Sequence, residues 1–340
     1  MYCIFITENK AAILRKTGRR RDGRFSFAPV ERGAENVPEQ TPFRGARNRK
    51  NMIDGYTRVC GVIGNPVEHT MSPAIHNTIS NELGENLAYL PFHVPDGQVG
   101  QAVKGAFALN LLGINVTVPY KSQVLPFLDE IDPLAESIGA VNTLVRTERG
   151  FKGYNTDMPG LYRAMCEDGV TLSGENVLIL GAGGVARAVA LLCARKEVRR
   201  LRILNRTLAK ASLIADEVNR LAGGMLAEAM ELAEYDTLPE EERYLVIQAT
   251  NVGMFPNTEN VIIEDAAFYR RVHMGYDLIF NPAETKFMSL VRENGGRAFN
   301  GLKMLLYQGI IAHELWTGTK IDSELAEAAY GAMKKAMGIQ

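Results

Sequence analysis

The run Asn176–Leu180 (NVLIL) passes without a break into Gly181-Ala182-Gly183-Gly184-Val185-Ala186-Arg187-Ala188. This junction leaves the chain little freedom. A buried strand must end at Gly181, a helix must begin within a few residues, and the turn between them must be tight. The spacing Gly181-x-Gly183-x-x-Ala186 is a dinucleotide fingerprint in its alanine-ended form. The first glycine permits the turn, the second lets a pyrophosphate reach the backbone, and the small third residue lets helix pack on strand. Unpaired N–H groups at the helix start favour the anion. Framed by NVLIL and the helical AVALLCAR, the motif predicts a βαβ unit that holds a dinucleotide on Gly181, Ala182, Gly183, Gly184 and Val185. The plain alternative is an ordinary tight βα turn.

The next strand, over 201–204, runs into Asn205-Arg206-Thr207. A free ribose 2′-hydroxyl calls for Asp or Glu at that strand end, and a 2′-phosphate calls for Arg. No acid stands there; Arg206 does, with Lys210 one helical turn on. A guanidinium offers planar paired donors to phosphate. The expected cofactor is therefore NADP rather than NAD. The plain alternative is that Arg206 is a solvated surface residue.

Around this unit, β-branched runs alternate with helical patterns. Strands are predicted over 59–63, 88–94, 113–118, 143–146, 244–249 and 275–280. Helices are predicted over 73–83, 99–109, 159–168, 185–195, 208–221, 286–294, 301–317 and 322–337, with Ser72 capping the first. Such alternation predicts an α/β fold with parallel sheets, and 340 residues suffice for two domains.

Composition narrows the function. The net charge of −1 argues against a general affinity for nucleic acid. No run of 18 apolar residues exists, so no transmembrane helix is expected. The opening residues lack a signal-peptide pattern. Cys3, Cys60, Cys166 and Cys193 are scattered without a C-x-x-C, which suits a reducing cytoplasm and gives no metal site. The charge is unevenly spread: residues 1–51 hold 12 Lys/Arg against 5 Asp/Glu, whereas the remainder holds 26 against 34. The first segment reads as a basic, disordered extension. It is either a dispensable leader or a targeting or nucleic-acid arm, and the first reading is the more ordinary.

Several polar stretches precede the glycine turn. Gly64–Pro73 (GNPVEHTMSP) carries hydroxyls two apart at Thr70 and Ser72. Gly113–Lys121 (GINVTVPYK) is a strand that ends in a lysine. Asn142 in GAVNT and Asp157 in GYNTD add an amide and an acid near chain turns. Loops at strand ends are where open α/β sheets bind ligands. Each residue taken alone has a plain reading as a cap, a turn or a solvated lysine, and composition alone names no substrate.

Taken together, GNPVEHTMSPAIHN, GINVTVPYK, GAVNTL, GYNTD, GAGGVARA, NRT, ATNVGM, YDLIFNPAETKF and NGLKMLLYQ occur in this order between residues 64 and 308. In this respect the chain resembles the shikimate dehydrogenase family over about residues 58–337. The resemblance implies a two-domain α/β fold: an open α/β substrate domain plus a Rossmann-type dinucleotide domain. The substrate domain would be discontinuous, 52–156 with 301–340, and the NADP domain would be 157–300. The implied reaction is the reversible NADPH-dependent reduction of 3-dehydroshikimate to shikimate in chorismate and aromatic amino acid biosynthesis. Lys121 and Asp157 would form the catalytic pair. Thr70 and Ser72 would hold the substrate carboxylate; Thr117, Lys121, Asn142, Asp157 and Gln308 would line the rest of the pocket. Asn205, Arg206, Thr207 and Lys210 would join Gly181–Val185 on NADP, with Leu278 and Gly301 near the nicotinamide.

The family pattern usually reads Ser-x-Ser where this chain has Thr70-x-Ser72, and Y-D-x-x-Y where it ends in Phe280. Both departures bear on the choice between shikimate and quinate. Two alternatives stand beside the main reading. One is a quinate or dual quinate/shikimate dehydrogenase. The other is a non-catalytic ligand-sensing module, which would be expected to lose Lys121 and Asp157. The expected partner is a small molecule, with no membrane and no nucleic acid. A homodimer is carried as an option that the residues do not fix. Pairing with Asp157 would keep Lys121 charged and burial would neutralise it; the residues do not choose between them.

Overall fold

The computed structural model describes residues 53–339 and, before them, only a short antiparallel pair, β1 (Thr17–Arg19) with β2 (Phe25–Ser26). The rest of the expected basic extension lies outside the described residues. The chain divides into Met1–Arg49 and Lys50–Gln340, and the description below concerns the second unit.

Its first sheet has the order β4-β3-β5-β7-β8-β6. It is built from β3 (Arg58–Gly64), β4 (Leu87–His93), β5 (Gly113–Val116), β6 (Glu130–Ile131), β7 (Thr143–Arg146) and β8 (Phe151–Tyr154). Between these strands run α1 (Ser72–Leu83), α2 (Val99–Ala108) and α3 (Pro133–Ile138). β4 lies at an edge, where Pro91 is tolerated because the outer side of the strand needs no donor. β3 pairs in parallel with β4 and β5, but β7 runs antiparallel to both β5 and β8. The expectation of parallel sheets therefore fails here. The cause is local: only residues 147–150 separate β7 from β8, and Thr147 N–H bonds the Gly150 carbonyl, so the two strands close a hairpin instead of a crossover.

The second sheet is parallel throughout, with the order β11-β10-β9-β12-β13-β14. Its strands are β9 (Asn176–Leu180), β10 (Arg200–Asn205), β11 (Ala227–Glu231), β12 (Tyr244–Gln248), β13 (Val272–Asp277) and β14 (Arg297–Phe299). The helices are α4 (Asp157–Glu167), α5 (Gly184–Arg195), α6 (Leu208–Ala222), α7 (Ala266–Tyr269) and α8 (Lys286–Glu293). Every residue of β12 is buried, as is β9 from Val177 to Leu180. A parallel sheet covered on both faces demands such unbroken apolar runs. Chain order reverses between β9 and β12, and the ends of these strands define the switch point at which such sheets bind ligands.

Two long helices finish the chain, α9 (Leu302–Thr317) and α10 (Ser323–Ala336). Both return to the first sheet's side. The Trp316 indole N–H donates to the Leu144 carbonyl of β7 at 2.9 Å, and Ala329 and Met333 of α10 share an apolar cluster with Ile75 and Ile79 of α1. α4 and α9 pack closely because residue 160 is glycine: a Cβ there would stand 2.6 Å from the Gln308 backbone nitrogen.

Three further expectations need correction. β5 stops at Val116, not at 118, although the chain stays beside β3 up to Pro119: Thr117 N–H bonds the Ile63 carbonyl and the Val118 carbonyl accepts from the Asn65 N–H, both at 3.0 Å. β13 covers 272–277 and not 275–280. The Asp277 carboxylate accepts the Ile279 N–H at 2.9 Å and turns the chain out of the sheet. Ser72 is the first residue of α1 and not its cap; its own N–H donates to the Thr70 hydroxyl at 3.3 Å.

Candidate active site

Lys121 lies just beyond the β5 turn, and Asp157 opens α4. The two meet: Nζ of Lys121 donates to Oδ2 of Asp157 at 2.7 Å. The side chains keep 32% and 21% of their exposure, so a ligand can reach both. The second carboxylate oxygen, Oδ1, accepts from the Asn142 amide at 2.9 Å. Asp157 also sits in the first turn of α4, where the helix dipole favours a negative charge.

The Asn142 amide has only one workable orientation. Its oxygen accepts the backbone N–H of Thr156 at 2.7 Å, so its NH2 group must face the other way. That group reaches Asp157, the Thr156 hydroxyl at 2.9 Å and Oε1 of Gln308 at 3.4 Å. Further donors support it from behind. The Asn115 amide, buried in β5, donates to the Asn142 carbonyl at 3.2 Å and to the Thr143 hydroxyl at 3.0 Å. Thr143 in turn donates to Oδ1 of Asn142 at 3.2 Å. The Asn115 oxygen accepts the Tyr89 hydroxyl at 2.7 Å. Burial holds the Tyr89 phenol well above its ordinary range, so it remains a donor. A buried polar group without a partner is costly, and this chain of donors has one consistent direction from Tyr89 to Asp157.

Thr70 donates to Ser72 at 3.2 Å, and Ser72 also interacts with the Tyr89 hydroxyl. The hydroxyl pair thus connects to the same network. Thr117 does not: its methyl packs near Gly64, and its hydroxyl has no partner among the described residues. Phe280 and Met71 both pack on the apolar cluster containing Ile75, Leu302 and Leu306. The structure therefore brings Lys121, Asp157, Asn142 and Gln308 into one hydrogen-bonded group. Tyr89, Asn115, Thr143 and Thr156 also belong to it and are not among the expected site residues. The signal was present for Asn115, a polar residue inside the apolar strand GINV, since a polar group in a buried strand needs a reason.

The glycine turn has a different character. α5 starts at Gly184 with Gly183 at its cap and no side chain bonding its first N–H groups. A Cβ on Gly183 or Gly184 would meet nothing within 4 Å, so the approach to these amides is open. Gly181 is constrained instead. Its φ of +111° suits glycine, and a Cβ would lie 2.7 Å from the Thr250 methyl. Ala182 is half-buried and Val185 exposed. Past the end of β10, Arg206, Thr207 and Lys210 are all exposed, and Asn205 turns back to bond the Thr207 carbonyl at 2.9 Å. Neither Arg206 nor Lys210 has an acidic partner among the described residues. Bare helix amides followed by two uncommitted cations fit a pyrophosphate and a further phosphate. Just past β13, Leu278 N–H bonds the Gln248 carbonyl and Gly301 N–H bonds that of Ile279, and a Cβ on Gly301 would overlap the Leu278 carbonyl oxygen, so these two positions lie side by side. No three His, Cys, Asp or Glu side chains gather to hold a metal among the described residues.

A doubly wound dinucleotide sheet joined to a second α/β sheet carrying a lysine–carboxylate pair defines a nicotinamide-dependent oxidoreductase class. Comparison with known proteins narrows it. A family model described as the shikimate dehydrogenase substrate binding domain matches residues 62–144, and one described as shikimate/quinate 5-dehydrogenase matches residues 164–266. The shikimate dehydrogenase (NADP(+)) of Carboxydothermus hydrogenoformans is 42% identical over 289 residues, covering 84% of this chain and 99% of its own. That of Methanopyrus kandleri is 41% identical, covering 82% and 96%. A crystal structure of a shikimate dehydrogenase in complex with NADP+ superposes with a TM-score of 0.76 at 34% identity, covering 85% and 99%. The quinate dehydrogenase of Corynebacterium glutamicum, in complex with NAD, gives 0.72 at 29%, covering 80% and 98%. The chain belongs to the shikimate dehydrogenase family.

Proposed function

We propose that this chain catalyses the reversible, NADP(H)-dependent reduction of 3-dehydroshikimate to shikimate, a step toward chorismate and the aromatic amino acids. The observation that carries the reading is the Lys121–Asp157 contact at 2.7 Å, with Asn142 bound to the other carboxylate oxygen. It is an oxidoreductase acting on a CH–OH group. The cofactor, when bound, supplies or accepts the hydride. The other tasks fall to side chains of this chain.

Reduction places negative charge on the substrate carbonyl oxygen. The Lys121 ammonium stabilises that charge and delivers the proton that completes the alcohol; in oxidation it takes the proton back. Asp157 holds the ammonium in place and accepts from the neighbouring ring hydroxyl. Asn142 and Gln308 fix the remaining hydroxyls, while Thr70, Ser72 and Thr117 face the substrate carboxylate and ring. A donor already aimed at the developing charge needs no reorganisation during the reaction. Gly181–Val185 would hold the pyrophosphate, Asn205, Arg206, Thr207 and Lys210 the adenosine end with its 2′-phosphate, and Leu278 and Gly301 the nicotinamide. On this reading the substrate domain is 52–156 with 301–340 and the NADP domain 157–300. A reducing cytoplasm suits Cys60 and Cys193, which are buried free thiols.

The test is steady-state kinetics with shikimate and quinate, each with NADP+ and NAD+. The reading expects the highest kcat/KM for shikimate with NADP+. A higher kcat/KM for quinate with NAD+ would overturn it in favour of a quinate dehydrogenase, and no absorbance change at 340 nm with any pair would overturn it in favour of a ligand sensor.

A further inference from the structure

One guanidinium joins three helices between the glycine turn and the lysine–carboxylate pair. Arg187 lies in the first turn of α5, and its own N–H bonds the Gly183 carbonyl at 2.9 Å. Its Nε and Nη2 form a two-point pair with Glu217 of α6 at 2.7 and 2.6 Å. Nη2 also donates to the Ser137 carbonyl at 2.8 Å, and Nη1 to the Ile138 carbonyl. These two carbonyls are the last of α3. A helix end leaves its final carbonyls without intrahelical donors, and here a side chain from another sheet's helix supplies them. Both members of the Arg187–Glu217 pair keep less than a third of their exposure, so this is more than a solvated surface pair.

The chain leaving α3 leads directly into the site. Gly139 turns it with φ of +71°. The Ala140 carbonyl accepts from the Asn155 amide at 3.0 Å. Val141 N–H donates to the Lys121 carbonyl at 2.8 Å. Asn142 then holds Asp157. Residues 139–141 alone thus separate the Ile138 carbonyl gripped by Arg187 from Asn142, which holds Asp157, and one of them, Val141, bonds the Lys121 backbone. At its other end, Arg187 is two positions beyond Val185, the last residue of the dinucleotide turn.

We propose that Arg187 is a positioning residue that couples the affinities for dinucleotide and substrate. Ordering the start of α5 around a pyrophosphate orders Arg187. Arg187 then holds the end of α3 and, through residues 139–142, the Lys121–Asn142–Asp157 group. By linkage, each ligand tightens the other by the same factor. The inference rests on the function proposed above, since it needs both ligands to bind this chain.

The test is a calorimetric titration of shikimate into the enzyme alone and saturated with NADP+, and of NADP+ without and with shikimate. Wild-type enzyme is expected to show a coupling factor of about 5-fold or more, the usual lower bound for coupled sites. In Arg187→Ala the factor falls toward 1 in both directions, and amide exchange at Val141 and Asn142 in the NADP+-bound state quickens. Arg187→Lys, which keeps the charge and the apolar stem but not the fork, loses most of the coupling and serves if the alanine variant folds poorly. Glu217→Gln keeps the contacts to α3 and keeps the coupling. A coupling factor in Arg187→Ala equal to that of wild type would overturn the inference, as would the absence of coupling in wild type. Failure of wild type to bind shikimate at all would instead overturn the proposed function.

Discussion

The two candidate ligand regions hold their polar groups in opposite states. Around the first sheet, Tyr89, Asn115, Thr143 and Asn142 donate in turn toward Asp157, whose other oxygen accepts from Lys121, and Thr156 joins them at Asn142. Around the second, the α5 amides have no side-chain cap and Arg206 and Lys210 have no acidic partner among the described residues. The difference matches the two tasks. A group that must act on a developing charge works best when its position is set in advance. A site for a multiply charged ligand works best when its donors are left for the ligand to satisfy. The first region should therefore govern turnover, and the second cofactor affinity.

Lys121→Ala gives the largest effect. Losing a positioned acid–base group costs about 10²–10⁴ in rate, so kcat should fall by that much while the NADP+ dissociation constant, read by fluorescence titration, stays within about twofold. A large loss of NADP+ affinity in this variant would show that the regions are not separate in this way. Arg206→Ala should do the reverse. A hydrogen bond to a charged group contributes about 1.5–3 kcal/mol, and about 1.4 kcal/mol corresponds to tenfold. The KM for NADP+ should therefore rise about 10- to 100-fold, with kcat and the KM for NAD+ nearly unchanged. Because Arg206 is exposed, the wild-type advantage should shrink as salt rises. An equal rise in both KM values would remove Arg206 from the 2′-phosphate.

What the sequence made legible follows the same division. The strand NVLIL occupies Asn176–Leu180 as expected, and the turn after it opens α5. Both are dictated locally, by a buried apolar run and by glycines. The strand at Thr143–Arg146 is likewise as expected. By contrast β11, AEAME, was missed because it is an edge strand with only Ala227 and Met230 buried, and so carries too few apolar residues to show a period. The short elements α3, β6, β8 and β14 were missed because two to six residues cannot establish a pattern. In the site, the motifs pointed to Lys121, Asp157 and Asn142. They did not reveal Tyr89, whose role depends on the register of β3 with β4 and β5. That relation is set by long-range pairing, not by neighbours in the chain.

Asn115→Leu tests whether the buried chain matters to the pair in front of it. The change removes the acceptor of the Tyr89 hydroxyl and deprives the Asn142 carbonyl and the Thr143 hydroxyl of a donor. A buried group left without its partner costs about 1–3 kcal/mol. The kcat/KM for shikimate should fall about tenfold, the equivalent of about 1.4 kcal/mol, with NADP+ affinity unchanged and the melting temperature lowered. A lowered melting temperature with unchanged kcat/KM would reduce Asn115 to a structural role.

The smallest effect concerns stability and contrasts two carboxylates. Asp157 has an ammonium at 2.7 Å. Among the described residues, the carboxylate of Asp277, fully buried at the end of β13, has only the Ile279 N–H at 2.9 Å and the Thr285 hydroxyl at 2.6 Å. Burial disfavours its charge and pushes its pKa from 3.8 up to about 6, against the pull of these two donors. A carboxyl raised in the folded state favours folding while protonated. That contribution is complete below about pH 4 and is lost as pH rises through about 6. The loss is at most about 3 kcal/mol, from about 1.4 kcal/mol per pKa unit. Asp277→Asn removes the titration. Urea unfolding at pH 4.5, 5.5 and 6.5 should show wild type losing stability relative to the asparagine variant as pH rises across this range. Parallel curves for the two proteins would mean that Asp277 is ionised throughout, and that two neutral donors hold a buried carboxylate as well as the lysine holds Asp157.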